Sequence, residues 1–343
     1  MKAIMYFKAV NDIGGVESFV YYLSKKYDFE FYYKEGDPTQ IQRLAKNIKV
    51  KKYNGEILEC DKFFVNYNPD IIDNVIAKEY IMMIHCDYSA VKFKPITHPK
   101  FTKYIGVSQY VCDVFTRLTG IPSELCYNPV YIDKPEAKKK TDKIHIIYAG
   151  RMSEEKGGWR IDKIAELIDK SGIDYDLTIY TDRNVNFKRP NIIIKQPKLN
   201  IAKEMAEATF MLVTSRAEAY CLSGIEALTL GTPLICTDLP VFNELGINET
   251  NSIKINLDVT NFNPKDLLKK FNFTYTPPKD NWDKYLSTNK TYNPDEIVNV
   301  KVIKKYTDLE LGKKLFRYDQ TQEEIPMKIS RASYLESKGL ITW

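Results

Sequence analysis

"VTSRAEAYCLSGIEALTLGTP", Val213 to Pro233, sets two carboxylates, Glu218 and Glu226, eight positions apart in a stretch made mostly of small and apolar residues. A carboxylate in such surroundings is costly unless something pairs with it or uses it. The stretch reads as a loop followed by a helix that starts near Leu222. Glu218 then lies in the loop, Glu226 lies one turn inside the helix, and the N–H groups of Cys221, Leu222 and Ser223 stand free at the helix start. That end offers donors to a phosphate or sugar oxygen, and the two carboxylates offer acceptors to hydroxyl groups. A glutamate complementing the helix dipole, together with a surface glutamate, fits the same spacing.

The segments on either side alternate between strand and helix patterns, as expected for parallel sheets covered by helices. Upstream, "KAIMYF", "FEFYY", "FFVNY", "YIMMIH" and "YIGVS" read as strands. "GGVESFVYYLSKKY" reads as a helix with Phe19, Tyr22 and Leu23 on one face, and "IIDNVIA" and "SQYVCDVFTRL" as helical stretches. "NPVYIDKPEAKKKTDK", with two prolines and five lysines, is too charged for core and reads as a linker. A second set follows. "IHIIYAG", "YDLTIYT", "NIIIKQ", "TFMLVTS" and "TPLICTD" are its strands; "WRIDKIAELIDKSG", ending at Gly172, and "IAKEMAEA" are its helices, with "NPKDLLKKF" a late helix. After Thr288, "VNVKVIKKYTDLELGKKLFRYDQTQEEIPM" alternates like two or three exposed strands, and "ISRASYLESKGL" closes as a short helix. The expected organisation is α/β, with Rossmann-like domains at 1–133 and 141–288 facing across a cleft and a small β-rich module at 289–343.

At 343 residues the chain is long enough for two separate cores. Fifty Lys+Arg against 45 Asp+Glu, net +5, suits anionic small ligands but is too small an excess to argue for nucleic acid. Six scattered cysteines without a CxxC pair or zinc spacing read as reduced, cytosolic thiols. The first residues lack the apolar length of a signal peptide, and no apolar run approaches the ~20 residues of a spanning helix, so a cytoplasmic protein, perhaps peripheral to a membrane, is expected.

Two further loops suit a cleft that binds anions. In "VNDIGGVESF", Gly14 and Gly15 lie between a strand and a helix, where bare backbone N–H groups can approach a phosphate; a tight turn is the other reading. In "YAGRMSEEKGGWR", Arg151 and Lys156 leave a strand just before a helix and could hold a diphosphate, Arg as a fork and Lys as a point charge.

Taken together these segments resemble the retaining family 4 glycosyltransferases with the GT-B fold. "EAYCLSGIE" matches their E-x7-E element, followed by "ALTLGTPLICTD". "IGGVE" is similar to their glycine loop, "MIH" ending in His85 to their strand-end histidine, "NPVYID" to their crossing, and "YAGRMSEEKG" to their donor-diphosphate loop. The likeness covers roughly residues 1 to 260.

The resemblance implies that Arg151 and Lys156 neutralise the diphosphate of a nucleotide-sugar donor, and that Glu226 accepts from the ribose while Glu218 holds hydroxyls of the sugar. Gly14 and Gly15 would close over the phosphates, with the N–H groups of Cys221, Leu222 and Ser223 nearby, and His85 would touch the sugar; as a lone histidine, His85 equally fits a core. It implies a UDP- or GDP-sugar co-substrate, no metal and no further cofactor, and front-face attack with the donor phosphate as base. Glu218, His85, Arg151 and Lys156 are therefore the expected catalytic set. Cys221 departs from the glycine usual there and would narrow the space beside the sugar. "NWDKYLS" stands where a last helix crosses back to the first domain, although it matches poorly.

Expected acceptors are a glycan, glycolipid, lipid-linked group or protein. Basic runs at "KNIKVKKY", "KFKPITHPKFTKY" and "KPEAKKKTDK" could face an anionic membrane or an acidic polymer. The alternatives are transfer to nucleic acid, as in phage-type DNA glucosylation, and a catalytically silent nucleotide-sugar binding protein.

Overall fold

The computed structural model describes residues 1–11, 13–304, 306–308, 316–318 and 325–343. Its first sheet contains β1 (Ala3–Val10), β2 (Glu30–Gly36), β3 (Lys49–Lys52), β4 (Leu58–Asn66), β5 (Val75–Ile84), β6 (Lys103–Gly106) and β7 (Glu124–Leu125), with helices α1 (Gly15–Lys26), α2 (Pro38–Leu44) and α3 (Gln109–Thr119) between them. The strands are parallel in the order β3-β2-β1-β4-β5-β6-β7. α1 buries Phe19, Val20, Tyr22 and Leu23, which includes the face expected from the sequence.

The second sheet is built in the same way from β8 (Ile144–Ala149), β9 (Tyr175–Tyr180), β10 (Ile192–Lys195), β11 (Phe210–Val213), β12 (Leu234–Thr237) and β13 (Ser252–Ile255), in the order β10-β9-β8-β11-β12-β13. Its helices are α4 (Gly158–Ser171), α5 (Ala202–Glu207), α6 (Leu222–Thr229) and α7 (Pro240–Glu244). α4 stops at Gly172, which takes the left-handed φ of +73° that glycine adopts without penalty. One apolar cluster runs from Met5 and Phe31 of the first sheet through Trp282 and Tyr220 to Met211 and Leu234 of the second, so the two halves share core.

Beyond residue 288, β14 (Ile297–Val302) pairs antiparallel with β17 (Ile325–Lys328) and β18 (Ile341–Thr342), β15 (Tyr306–Asp308) pairs with β16 (Phe316–Tyr318), and α8 spans Ile329–Ser337. The rest of the expected tail strands, at 305, 309–315 and 319–324, lies outside the described residues, as does Asp12 of the glycine loop. The module covers the open edge of the first sheet. Ser333 Oγ donates to the Val50 carbonyl at 2.7 Å, and the Lys52 N–H donates to Glu336 at 2.9 Å. Polar groups that would otherwise invite another strand are thereby satisfied.

Two expected helices are corrected. In "IIDNVIA" only Ile72–Asn74 forms a 3-10 turn, and from Val75 the chain is strand, registered opposite Leu58 of β4. Cross-strand packing of β-branched residues outweighs the local helical spacing there. "NPKDLLKKF" makes a 3-10 turn only over Pro264–Leu268; Leu268 stays 65% exposed, so the segment has no continuous apolar stripe to bury. "NWDKYLS" does cross back, as a 3-10 turn at Trp282–Lys284. Trp282 is fully buried against Phe19 and Phe64, and its Nε1 donates to the Tyr127 carbonyl at 3.0 Å.

Candidate active site

In each sheet the strand order reverses beside the first strand of its set, between β1 and β4 and between β8 and β11. Crevices at the carboxyl ends of such switch points are where open α/β sheets bind ligands. Both open onto one cleft of about 1390 Å³, whose walls contain all ten residues singled out from the sequence.

Gly14 and Gly15 start α1 after β1, and Cys221, Leu222 and Ser223 start α6 after β11. Neither N-cap side chain, Gly14 or Cys221, caps its helix, and helix starts of this kind favour anions, although the Glu17 carboxylate folds back over Gly14 at the start of α1. The two starts approach closely: a Cβ built on Gly15 would lie 3.9 Å from Leu222 Cδ1. Cys221 holds a left-handed φ of +63°, a conformation that costs a non-glycine residue roughly 1–2 kcal/mol. This is the position where the resemblance led glycine to be expected, and the buried thiol, driven up in pKa by that burial, packs against Gly224. Tyr67, at φ +61°, lines the same cleft.

Lys156 reaches across to Glu218, Nζ to Oε1 at 2.5 Å, and Ser215 Oγ donates to the same oxygen at 2.6 Å. Burial pulls the Lys156 ammonium down, but the charge and hydrogen bond of Glu218 outweigh it and hold the group above its ordinary value. Lys156 is set in place by its neighbour Gly157. At φ +72° a Cβ on Gly157 would sit 2.3 Å from the Thr214 carbonyl, so only glycine fits. Arg151 leaves β8 on the same loop and is exposed on the cleft wall, with no ion-pair partner among the described residues.

Glu226 lies on α6, and its Oε1 accepts a 2.6 Å hydrogen bond from Tyr22 of α1. Burial raises its pKa, while the Tyr22 hydroxyl and the nearby Arg43 guanidinium restrain the rise. His85 follows β5, its ring edge-on to Phe19 at 4.5 Å. Burial lowers the imidazole to about 3, so it is neutral near pH 7 and cannot serve there as a proton-donating imidazolium.

Sequence reasoning missed Tyr22, Arg43, Asn66, Asn128 and Ser215. Only the fold brings Tyr22 and Arg43 to Glu226, since they come from the other domain. Asn66 was legible only as the polar end of an apolar strand. Four buried side-chain atoms without a hydrogen-bond partner, Asn66 Oδ1, His85 Nε2, Asn128 Oδ1 and Tyr220 OH, belong to residues of this cleft. Unpaired buried polar atoms are uncommon, and a group of them marks a wall that a polar ligand can complete.

Some lysines of the basic runs have partners within the fold. Lys49 pairs with Glu30, Lys100 with Asp73 and Lys103 with Glu79, while Lys139 donates to the Ala208 carbonyl. Among the described residues no helix is long and apolar enough to cross a membrane.

Residues 143–271, the region of the second sheet, match the family model of group 1 glycosyl transferases. The two parallel sheets share the GT-B fold of several solved structures. Anabaena Alr3699/HepE, solved with UDP and glucose, is 14% identical at a TM-score of 0.60, over 75% of this chain and 86% of that one. A glycosyltransferase from Rickettsia africae is 13% identical at a TM-score of 0.58, over 74% and 84%. Against TarM, at 17% identity and a TM-score of 0.48, the match covers 60% of this chain and 47% of that one, about half its length. No curated protein matches the sequence. At these identities the solved structures speak for the fold alone.

Proposed function

We propose that the cleft binds a UDP- or GDP-sugar and transfers the sugar, with retention of configuration and without a metal ion, to an acceptor such as a glycan, glycolipid or protein. The observation that carries this reading is that Arg151, Lys156, Glu218 and Glu226, from two separate segments, line one cleft at two switch points beside two helix starts.

Arg151 and the α1 and α6 N–H groups supply counter-charge to the diphosphate, and Lys156 divides its charge between that diphosphate and Glu218. Glu218 keeps one oxygen on Lys156 and Ser215, and its other oxygen, with no partner among the described residues, takes hydroxyls of the donor sugar. Glu226 accepts from the ribose hydroxyls. His85, neutral and with Nε2 unpaired, hydrogen-bonds near the reacting carbon. The leaving phosphate takes the acceptor's proton on the face where attack occurs, which removes the need for a carboxylate nucleophile. The UDP and glucose bound to the HepE relative support this donor class.

The test is turnover of a panel of UDP- and GDP-sugars in EDTA with saccharide acceptors, the product's anomeric configuration being read by NMR. Retention in the absence of metal is expected. An inverted product, or activity that returns only with magnesium or manganese, contradicts the proposal.

A further inference from the structure

Glu226, a donor-site residue of the proposed reading, is gripped from the opposite domain. Tyr22 on α1 belongs to the first sheet's layer and Glu226 on α6 to the second's, yet the phenol donates to Oε1 at 2.6 Å. Both residues line the cleft. The second carboxylate oxygen has no hydrogen-bond partner among the described residues and is not sealed from solvent. Arg43 of α2, stacked 3.5 Å above the Tyr21 ring, stands near the same carboxylate and offsets its charge.

A carboxylate on a short helix can swing about three side-chain torsions, so a fixed acceptor requires something to hold one oxygen. Here that restraint comes from across the cleft. We infer that Tyr22 is a positioning residue for the nucleotide: it pins Oε1 of Glu226 so that Oε2 faces the cleft as a preset acceptor for a cis-diol, and it makes the first domain part of nucleoside recognition. This rests on the reading that Glu226 meets the ribose. The competing account is a clamp, in which Tyr22 and Glu226 only hold the two domains together.

Tyr22→Phe removes one hydroxyl and little volume. Calorimetric titration of the full chain with whichever of UDP and GDP the wild type binds, and with the 2′,3′-dideoxy form of the same nucleotide, separates the accounts. If Tyr22 positions the acceptor, the variant binds the ribonucleotide about tenfold more weakly, the worth of one charge-assisted hydrogen bond. It binds the dideoxy form as the wild type does, and adding Tyr22→Phe to Glu226→Gln costs nothing further. With a donor sugar, KM rises while kcat at saturation is kept. Equal losses for both nucleotides, or a lowered melting temperature with unchanged or tighter ribonucleotide binding, overturn the inference and leave the clamp. Absence of binding by the wild type to either nucleotide fails the donor-site reading itself, and this inference with it.

Discussion

Glu218 shows how much one residue's role depends on its neighbours. Sequence spacing set it in a loop before a helix, but could not show that Lys156 and Ser215 converge on the same oxygen, because those partners lie 62 and 3 positions away in sequence and are joined only by the fold. Its removal therefore acts in two ways. Glu218→Gln keeps the shape, withdraws the charge beside a sugar that turns positive as it departs, and releases Lys156 from its ion pair. Turnover is expected to fall by roughly a hundredfold, about 2.7 kcal/mol of transition-state stabilisation. Free nucleotide should bind at least as well, since Lys156 then gives its full charge to the diphosphate. Steady-state rates with calorimetric nucleotide affinity check this; a wild-type rate would make Glu218 a loop charge. Cys221 was legible as a departure from glycine, and its φ of +63° gives the physical reason a glycine is favoured there.

At the scale of elements, the helices with clear punctuation were legible and those without it were not. α4 ends at Gly172, and α3 begins on Ser108, whose hydroxyl accepts from the Val111 N–H. α2 and β3 escaped reading because each is short; "KNIKVKKY" looked like a basic surface run, yet Val50 within it is fully buried and the strand is an edge that α8 covers. That contact carries a titration. Burial raises Glu336 from 4.5 to about 7, against the Lys52 N–H and the charges of Lys51 and Lys52, with Glu56 adding to the rise. A carboxyl with a folded pKa above its unfolded one favours the protonated fold, so its contribution is complete below about 4.5 and is lost as pH climbs through about 7. The melting temperature should accordingly fall between pH 5 and 8. Glu336→Gln should flatten that fall and be more stable than the wild type at pH 8, by roughly 1–3 kcal/mol. An unchanged pH profile in the variant would show that other groups govern it.

For the whole molecule, the repeated strand–helix alternation was enough to expect two parallel sheets, since that pattern depends on local periodicity. That the domains face across a cleft was expected as well; the particular contacts that fix their orientation were not readable, because they are long-range: Tyr22 to Glu226, Tyr27 and Tyr131 to Asp280, and Trp282 into the first core. Truncation after Thr288 tests how far the tail matters. It removes the cover of β3 and the bonds from Lys290 and Tyr292 to the carbonyls of Ser24 and Ala45, so the melting temperature should drop by several degrees. Nucleotide affinity should persist, because every residue assigned to the donor lies at or before Glu226. A folded truncate that no longer binds nucleotide would place part of the site in the tail.

The account's central claim is that this cleft is a nucleotide-sugar donor site whose counter-charge comes from the protein. Calorimetric titration of UDP and GDP in EDTA, into the wild type and into Arg151→Ala/Lys156→Ala, tests it most directly. Saturable one-to-one binding of at least one nucleotide to the wild type is expected, weakened at least a hundredfold in a double variant that melts as a folded protein. Absence of binding to both nucleotides, or equal affinity in the double variant, would contradict the claim.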